Sequence, residues 1–532
     1  MTEHVSASDP STEQVVEPGS QWRRLDARML IVGPLNGLVQ LLPVLAILVI
    51  TGRSDPFRMW LPVVLAVLVV IAGVLRWRTT RYRITPERVE LRSGWLRRQR
   101  RSIPRDRIRT VDATARLVHR LFGLSVVQIG SGTGMSFEHG VGLRLDAVSG
   151  AEAERLRREL LDPSALAERP DAPAGAPQPA ASPPVVELAR LDWRWLRFAP
   201  LTVSSLAAIG AVFATLYNLF DDLGVDPRDL DAVDSAVDRI ASASIWAGVA
   251  VVALTLLVLA VAGSLVLFAE RWYGYRLTRE ADGALRVGRG LLTRRSLSVA
   301  EQRLRGVEVL EPLLLRLGGG AQSRALTTGL AREAGSGALQ PPVPRAEAHR
   351  VAAAALREDP AVLTLAPLRR HTRAARMRRL TRAVGPTVAI VAAAWVVTST
   401  GGPSWVGPVS LVLLPAALWV GWDRARNLGH ALTPRYLVMR SGSLRRQTVA
   451  LQRTGIVGWS FRQSVFQRRS GLVNLEAITA AGSGGYTVLD LTVEDAVALA
   501  DTATPGVLPR PRSGATMATT DDRPQLDHRV DG

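Results

Sequence analysis

Two stretches decide how this chain reads: ITPERVELRSGWLRRQ at Ile84–Gln99 and LTPRYLVMRSGSLRRQ at Leu432–Gln447. They align at a constant offset of 348 with no gap, and 11 of the 25 positions from 84 to 108 are identical to their counterparts. The match persists at Arg105 and Arg453, at Ile108 and Ile456, and at Gly123-Leu124 and Gly471-Leu472. Self-similarity at a fixed spacing marks a structural unit used more than once. A weaker copy lies between the two. It opens with Tyr275-Arg276-Leu277-Thr278 and continues, after an insertion around Asp282-Gly283, with Arg289-Gly290-Leu291-Leu292-Thr293-Arg294-Arg295. Arg303-Leu304 and Arg316-Leu317 then answer Arg107-Ile108 and Arg120-Leu121.

Inside the unit, Val89 and Leu91 alternate with polar neighbours, the period of a half-buried strand. Ser93-Gly94 and Ser441-Gly442 read as the turn into a next strand. Val126–Ile129 and Leu143–Leu145 are further strand candidates. The glycine-rich runs at 130–134 and 482–485 read as hairpin loops, because no helix opens directly after them and a chain without lysine has no P-loop. Each copy ends in a helical pattern: Ala151–Leu161, Ala346–Leu356 and Val493–Ala500. Several strands closed by one helix predict a small antiparallel β-domain.

Ahead of each copy lies a pair of uncharged apolar runs. These are Leu30–Gly52 with Met59–Leu75, Phe198–Phe220 with Ile240–Ala269, and the stretch Ala383–Trp422, broken by a turn at 399–404. A spanning helix needs about 20 apolar residues, so the runs predict three transmembrane hairpins. Charge gives their orientation. The connection 221–239 holds Asp221, Asp222, Asp226, Asp229, Asp231, Asp234 and Asp238 against Arg228 and Arg239. Arg369, Arg370, Arg373, Arg376, Arg378, Arg379 and Arg382 precede the fifth span with no acid among them. Arginine on one side and aspartate on the other is the positive-inside pattern, which puts both termini and all three β-domains in the cytoplasm. The expected localisation is the plasma membrane, multi-pass.

Composition agrees. A mean hydropathy of +0.13 and 47% hydrophobic residues in 532 are too apolar for a mainly disordered chain. The absence of cysteine excludes disulfides and thiolate metal sites. The formal charge of +19 fits either nucleic-acid binding or a positive-inside membrane protein. Attachment of the arginines to span ends favours the second and disfavours nucleic acid.

The run "Tyr-x-Ile-Thr-x-x-x-Val-x-Leu-x-x-Gly-x-Leu-x-Arg" at 82–98, Ile103-Pro104 with Ile108, and Arg120-Leu121-Phe122-Gly123-Leu124 resemble the membrane-flanked bacterial pleckstrin-homology (PH) family, once known only as a domain of unknown function. Three such domains, each behind a hairpin, resemble its multi-domain membrane members. The resemblance is plain in the first and third copies. The second copy departs at Thr278-Arg279, where the others have Thr-Pro, and at Ala300, where the first has Pro104. The resemblance implies a seven-stranded β-barrel-like sheet capped by a C-terminal helix. It implies no enzyme activity and no settled ligand, and it implies as a partner a smaller PH-domain membrane protein of the same family.

The expected organisation is therefore a tail (1–28), hairpin one (29–76), PH-like domain one (80–162), a Pro/Ala-rich linker (163–190), hairpin two (198–269) with its acidic external loop (221–239), PH-like domain two (272–360), hairpin three (383–422), PH-like domain three (430–502) and a disordered tail (503–532). Candidate contacts for anionic lipid head groups are the basic clusters Arg97, Arg98, Arg100 and Arg101, Arg294 and Arg295, and Arg445 and Arg446, since clustered arginine beside a bilayer attracts anionic lipid. No catalytic, cofactor or metal constellation is expected. The seven histidines form no pair at i, i+4, and no nucleophile elbow occurs. The reading is a non-enzymatic membrane protein whose domains bind anionic lipid or partner proteins, in envelope maintenance or stress resistance. The alternative is an accessory subunit of a transport or export system, disfavoured because the runs carry no ionisable residue.

Overall fold

A computed structural model describes residues 22–38, 41, 56–85, 87–94, 98–105, 108, 110–130, 143–161, 185–202, 210, 245–281, 283–328 and 337–507. The body of the first and third expected spans, the acidic loop 221–239, most of the linker and most of both tails lie outside these residues.

The first repeat runs β1 (Arg23–Arg24), α1 (Met29–Leu38), α2 (Pro56–Thr79), β2 (Arg81–Ile84), β3 (Arg88–Ser93), β4 (Gln99–Pro104), β5 (Thr110–Ala115), α3 (Leu117–Leu121), β6 (Leu124–Gly130), β7 (Leu143–Ser149) and α4 (Gly150–Leu161). The second runs β8 (Val186–Arg190), a 3-10 turn (Trp193–Phe198), α5 (Ile245–Trp272), β9 (Arg276–Arg279), β10 (Leu285–Arg289), β11 (Arg294–Val299), β12 (Leu304–Pro312), α6 (Leu313–Leu317), β13 (Gly320–Thr327), β14 (Val343–Pro344) and α7 (Arg345–Leu356). The third runs β15 (Arg369–Arg370), α8 (Arg373–Ser399), α9 (Val406–Ser410), α10 (Leu413–Arg426), β16 (Gly429–Leu432), β17 (Tyr436–Ser441), β18 (Arg445–Gln452), β19 (Ile456–Arg462), α11 (Val465–Arg469), β20 (Leu472–Thr479), β21 (Gly485–Thr492) and α12 (Val493–Ala503).

Four described stretches are helical, long and apolar enough to cross a membrane: Trp60–Thr79, Leu254–Trp272, Arg373–Ser399 and Val406–Arg426. Many of their leucines and valines face outward, Leu61, Val64 and Leu68 on α2 and Leu254, Leu257 and Val258 on α5 among them. In water such a surface would be unstable; against lipid it is matched. The hairpins interrupt the domains. β1 pairs with β2, β8 with β9 and β15 with β16, all antiparallel. Each pairing joins a short strand upstream of an expected hairpin to the first strand after it. Phe198 and Ala199, which begin the third uncharged run, are buried in the second domain's core with Trp195 and Tyr275. That run starts inside the domain and only then leaves it.

The β-barrel-like sheet needs correction. Among the described residues each domain does hold seven strands and a closing helix, but no closed barrel forms. The first four strands of a domain lie in one sheet and the last three in another. The three-stranded halves of the first and second domains each continue into the next domain's four-stranded half. The shared sheets have the order β7-β6-β5-β11-β10-β9-β8 and β14-β13-β12-β18-β17-β16-β15. Both junctions are antiparallel, with Thr110 opposite Val299 in the first and Gly306 opposite Leu451 in the second. Under the repeat alignment these are the same pair, so the two junctions share one register. The cores follow the sheets: Tyr436, Val438 and Ala450 of the third domain are buried in the cluster that holds Leu277, Val309 and Val351 of the second.

Candidate functional site

The eight expected arginines do not converge. They occupy equivalent places, at or just before the start of β4, β11 and β18, in three separate domains. Arg97 lies outside the described residues. Arg98 is exposed ahead of β4. Arg100 donates to the buried carboxylate of Glu90 at 2.9 Å, which Arg83 also holds at 2.6 Å. Arg101 is half-buried and reaches Gln99 at 3.4 Å. Arg294 and Arg295 are exposed and stand opposite Ala115 and Thr114 across the first junction. Arg445 is exposed opposite Pro312. Arg446 is committed to structure: it holds Glu311, its partner across the second junction, through Nε at 2.5 Å and Nη2 at 2.6 Å. Arg345 adds a third contact to Glu311 at 3.0 Å. Burial pushes the Glu311 carboxyl up, but the hydrogen bonds and charge of Arg446 and the charge of Arg345 outweigh it and hold it below the usual carboxylate range.

Free arginines gather instead at the foot of the third hairpin. A cleft of about 570 Å³ is lined by Arg370 of β15, His371, Arg373, Arg376, Met377 and Leu380 of α8, Trp422, Ala425 and Arg426 of α10, and Leu428. The sequence builds it by helical spacing. Thr372 caps α8, its side chain accepting from the Ala375 amide. Positions 373, 376, 377 and 380 then share one face, and 422, 425 and 426 do the same on α10. The opposite face of α8 is spoken for, because Arg378 and Arg379 both ion-pair with Asp490, a fully buried residue of β21. Gln467 and Asn474 complete the cage, donating to Asp490 from Gln467 Nε2 at 2.8 Å and accepting from its amide on Asn474 Oδ1 at 3.0 Å.

The guanidinium groups of Arg370, Arg373, Arg376 and Arg426 have no ion pair among the described residues, and no carboxylate lines the cleft. Arg426 lies over the Trp422 ring at 5.3 Å. Above the arginines, Met377 and Trp422 are half exposed and lead to the bare apolar flanks of the spans, Val388 and Ile390 on α8 and Leu418 and Trp419 on α10. The cleft floor is neutral. His371 donates to or accepts from His430 at 3.0 Å and meets the Asp490 carbonyl at 3.3 Å. Burial drives both imidazoles down, His430 to about 4, against a weaker opposing pull from Asp490 on His371. A basic base under an apolar wall is complementary to a ligand that carries an anionic group and an apolar part. Asp423, buried at the end of α10, ties the hairpin to both neighbouring domains by accepting from Arg316 at 2.9 Å and from Ser443 at 2.8 Å.

A second cleft of about 560 Å³ opens between β12, β13, β17 and β18 and the β20–β21 turn, lined by Glu308, Arg324, Arg445, Gln447, Ser483 and Tyr486 among others. The glycine-rich run 482–485 forms that hairpin turn, as its sequence predicts. Here Glu308 faces Arg324 and Arg445, so the charges oppose one another, and burial holds the Glu308 carboxyl up despite both arginines. It is a poorer anion site than the cleft beside the spans. The run 131–134 lies outside the described residues. Among the described residues no group of three or more His, Asp or Glu side chains is placed to hold a metal ion.

Residues 35–164 and 381–505, each range taking in the apolar stretch ahead of its β-domain, match the bacterial PH domain. The chain is similar to the UPF0699 transmembrane protein YdbT of Bacillus subtilis (strain 168), 24% identical over 445 residues, covering 81% of this chain and 86% of that protein. No solved structure matches. The second domain falls outside the family match. Its kinship rests on the strand order, the junction register and the closing helix that it shares with the other two.

Proposed function

We propose that the chain is a multi-pass plasma-membrane protein with both termini in the cytoplasm, and that its PH-like array binds anionic lipid head groups without catalysing a reaction. The observation that carries this reading is the set of four arginines with no ion pair among the described residues, under an apolar wall at the foot of the third hairpin. Near an anionic leaflet each basic residue contributes about 1 kcal/mol. Four together favour anionic over neutral lipid by roughly a thousandfold at low salt. Guanidinium also grips a phosphate in bidentate fashion, which adds selectivity to attraction. Because the cleft is held at the bilayer by its own spans, lipid reaches it at high effective concentration and a modest intrinsic affinity is enough.

Native mass spectrometry of the detergent-solubilised full chain, offered phosphatidylglycerol and phosphatidylcholine in competition, tests this. Selective retention of the anionic lipid is expected, with loss in a variant carrying Arg373→Gln, Arg376→Gln and Arg426→Gln and none in one carrying Arg98→Gln and Arg101→Gln. Equal retention of both lipids, or a triple variant that binds like the parent, would remove the cleft from the account.

A further inference from the structure

Two kinds of sheet edge alternate along this chain. The first strand of each three-stranded half, β5 or β12, pairs with the last strand of the next four-stranded half, β11 or β18. An array joined in this way has one edge of each kind left over. Here they are β4, which among the described residues pairs only with β3, and β19, which pairs only with β20. The two ends are complementary in kind, the condition for a heterologous contact that repeats.

We propose that β19 of one chain pairs with β4 of a second copy, continuing the array head to tail. Transferring the shared junction register places Gly458 opposite Ile103, Trp459 opposite Ser102, Ser460 opposite Arg101, Phe461 opposite Arg100 and Arg462 opposite Gln99.

Three features of the free end support this. First, Gly306, the counterpart of Gly458, lies so close to β18 that an added Cβ would sit 2.2 Å from the Ala450 carbonyl, whereas at Gly458 that space is empty. The third copy thus keeps the side-chain-free position of the closer junction, and among the described residues no second strand covers it on the side away from β20. Second, β19 and α11 expose Val457, Phe461, Val465 and Phe466, and Val457 and Phe466 are more than 70% exposed. An apolar strand edge bare to water invites another strand. Third, the short helix after the strand takes part in both internal junctions. The Leu313 amide of α6 donates to the Leu444 carbonyl at 2.7 Å, and Arg120 of α3 donates to the Leu291 carbonyl. In the third copy α11 is that helix, and among the described residues it has no neighbour of this kind. Every hairpin enters its domain at the same point, between the first and second strands, so a copy added in this register carries its spans as the existing domains do.

The chain has no cysteine, so introduced thiols report without background. Ser460→Cys and Arg101→Cys, made in separate tagged copies and co-expressed, would be oxidised in native membranes. Facing antiparallel Cα atoms, about 4.5–5.5 Å apart, fall within disulfide reach. The expected result is a disulfide dimer at least tenfold above either single variant alone, a ladder of higher species when one chain carries both substitutions, and loss of both when Val457→Arg and Phe461→Arg are added. Asp112→Cys with Leu297→Cys in one chain, the equivalent internal pair, should close within the monomer and shows that the fold and the oxidant are competent. If that pair closes while the intermolecular pair gives no dimer above background, the proposal is overturned. It is equally overturned if the pair shifted by one residue, Ser460→Cys with Ser102→Cys, crosslinks as well, since that reports random collision.

Discussion

Glu311→Gln is the sharpest test of how the second and third domains are held together. The Glu311 side chain is 1% exposed, and Arg446, which it grips with two hydrogen bonds, is 12% exposed. Glutamine keeps the shape but removes the charge and turns one acceptor into a donor that faces the guanidinium. Arg446 is then left buried without its counter-ion, and breaking a buried pair from one side costs about 3–5 kcal/mol. At roughly 2–4 °C per kcal/mol for a unit of this size, Tm should fall by about 10 °C. Intrinsic tryptophan fluorescence of the solubilised chain reads the transition. Glu311→Leu with Arg446→Met should recover most of the loss, because an apolar pair leaves nothing unpaired. The pH dependence has a definite sign. The native carboxyl is held below its ordinary value, so its contribution is complete above about pH 4.5 and lost as pH falls through the native pKa. The gap between parent and Glu311→Gln should therefore narrow at low pH. A Tm shift below 2 °C at pH 7, or a double variant no better than the single, would refute the claim that this ion pair closes the junction.

Gly421→Leu should splay the third hairpin, since a Cβ there meets Leu380 Cδ1 at 2.9 Å and Cα at 3.1 Å; a loss of about 1–3 kcal/mol and weaker retention of anionic lipid in mass spectra are expected. Gly306→Val should destabilise the second junction by a similar amount in thermal melts, whereas Gly458→Val should leave the melt of the detergent-isolated chain unchanged. His349 and His430, each driven down to about 4, first by burial, are neutral in the fold but charge near pH 6.5 when unfolded. Stability should thus fall as pH drops from about 6.5 towards 4, by up to about 3 kcal/mol per histidine, and His349→Gln should flatten its share of a Tm-against-pH series.

The repeat and the long apolar runs were legible because both are local patterns. Strand pairing across domains was not. Nothing near Arg446 in the sequence announces Glu311, which lies 135 positions away, and a pair of adjacent arginines reads the same whether it faces lipid or a buried carboxylate. The opening strands β1 and β15 are two arginines each, too short and too polar to show alternation. The arginines before the fifth span were visible as an orientation signal. Their division into a face held by Asp490 and a face left open was not, although the helical spacing of 373, 376, 377 and 380 against 378 and 379 held the clue. What was missing was the partner, Asp490, more than a hundred residues downstream.

That each hairpin interrupts a pair of strands has a consequence for synthesis. Arg23–Arg24 is made before its partner Arg81–Ile84, with two expected spans between them, and the same holds for Val186–Arg190 and Arg369–Arg370. On the proposed topology, no domain can close its first sheet until its hairpin has entered the bilayer and come back out on the side it left. A hairpin threaded the wrong way strands β2, β9 or β16 across the membrane from its mate, and the domain that depends on it stays open. Correct insertion is thereby written into the folding of the domains themselves, and an error in topology becomes an unfolded segment that proteolysis can find.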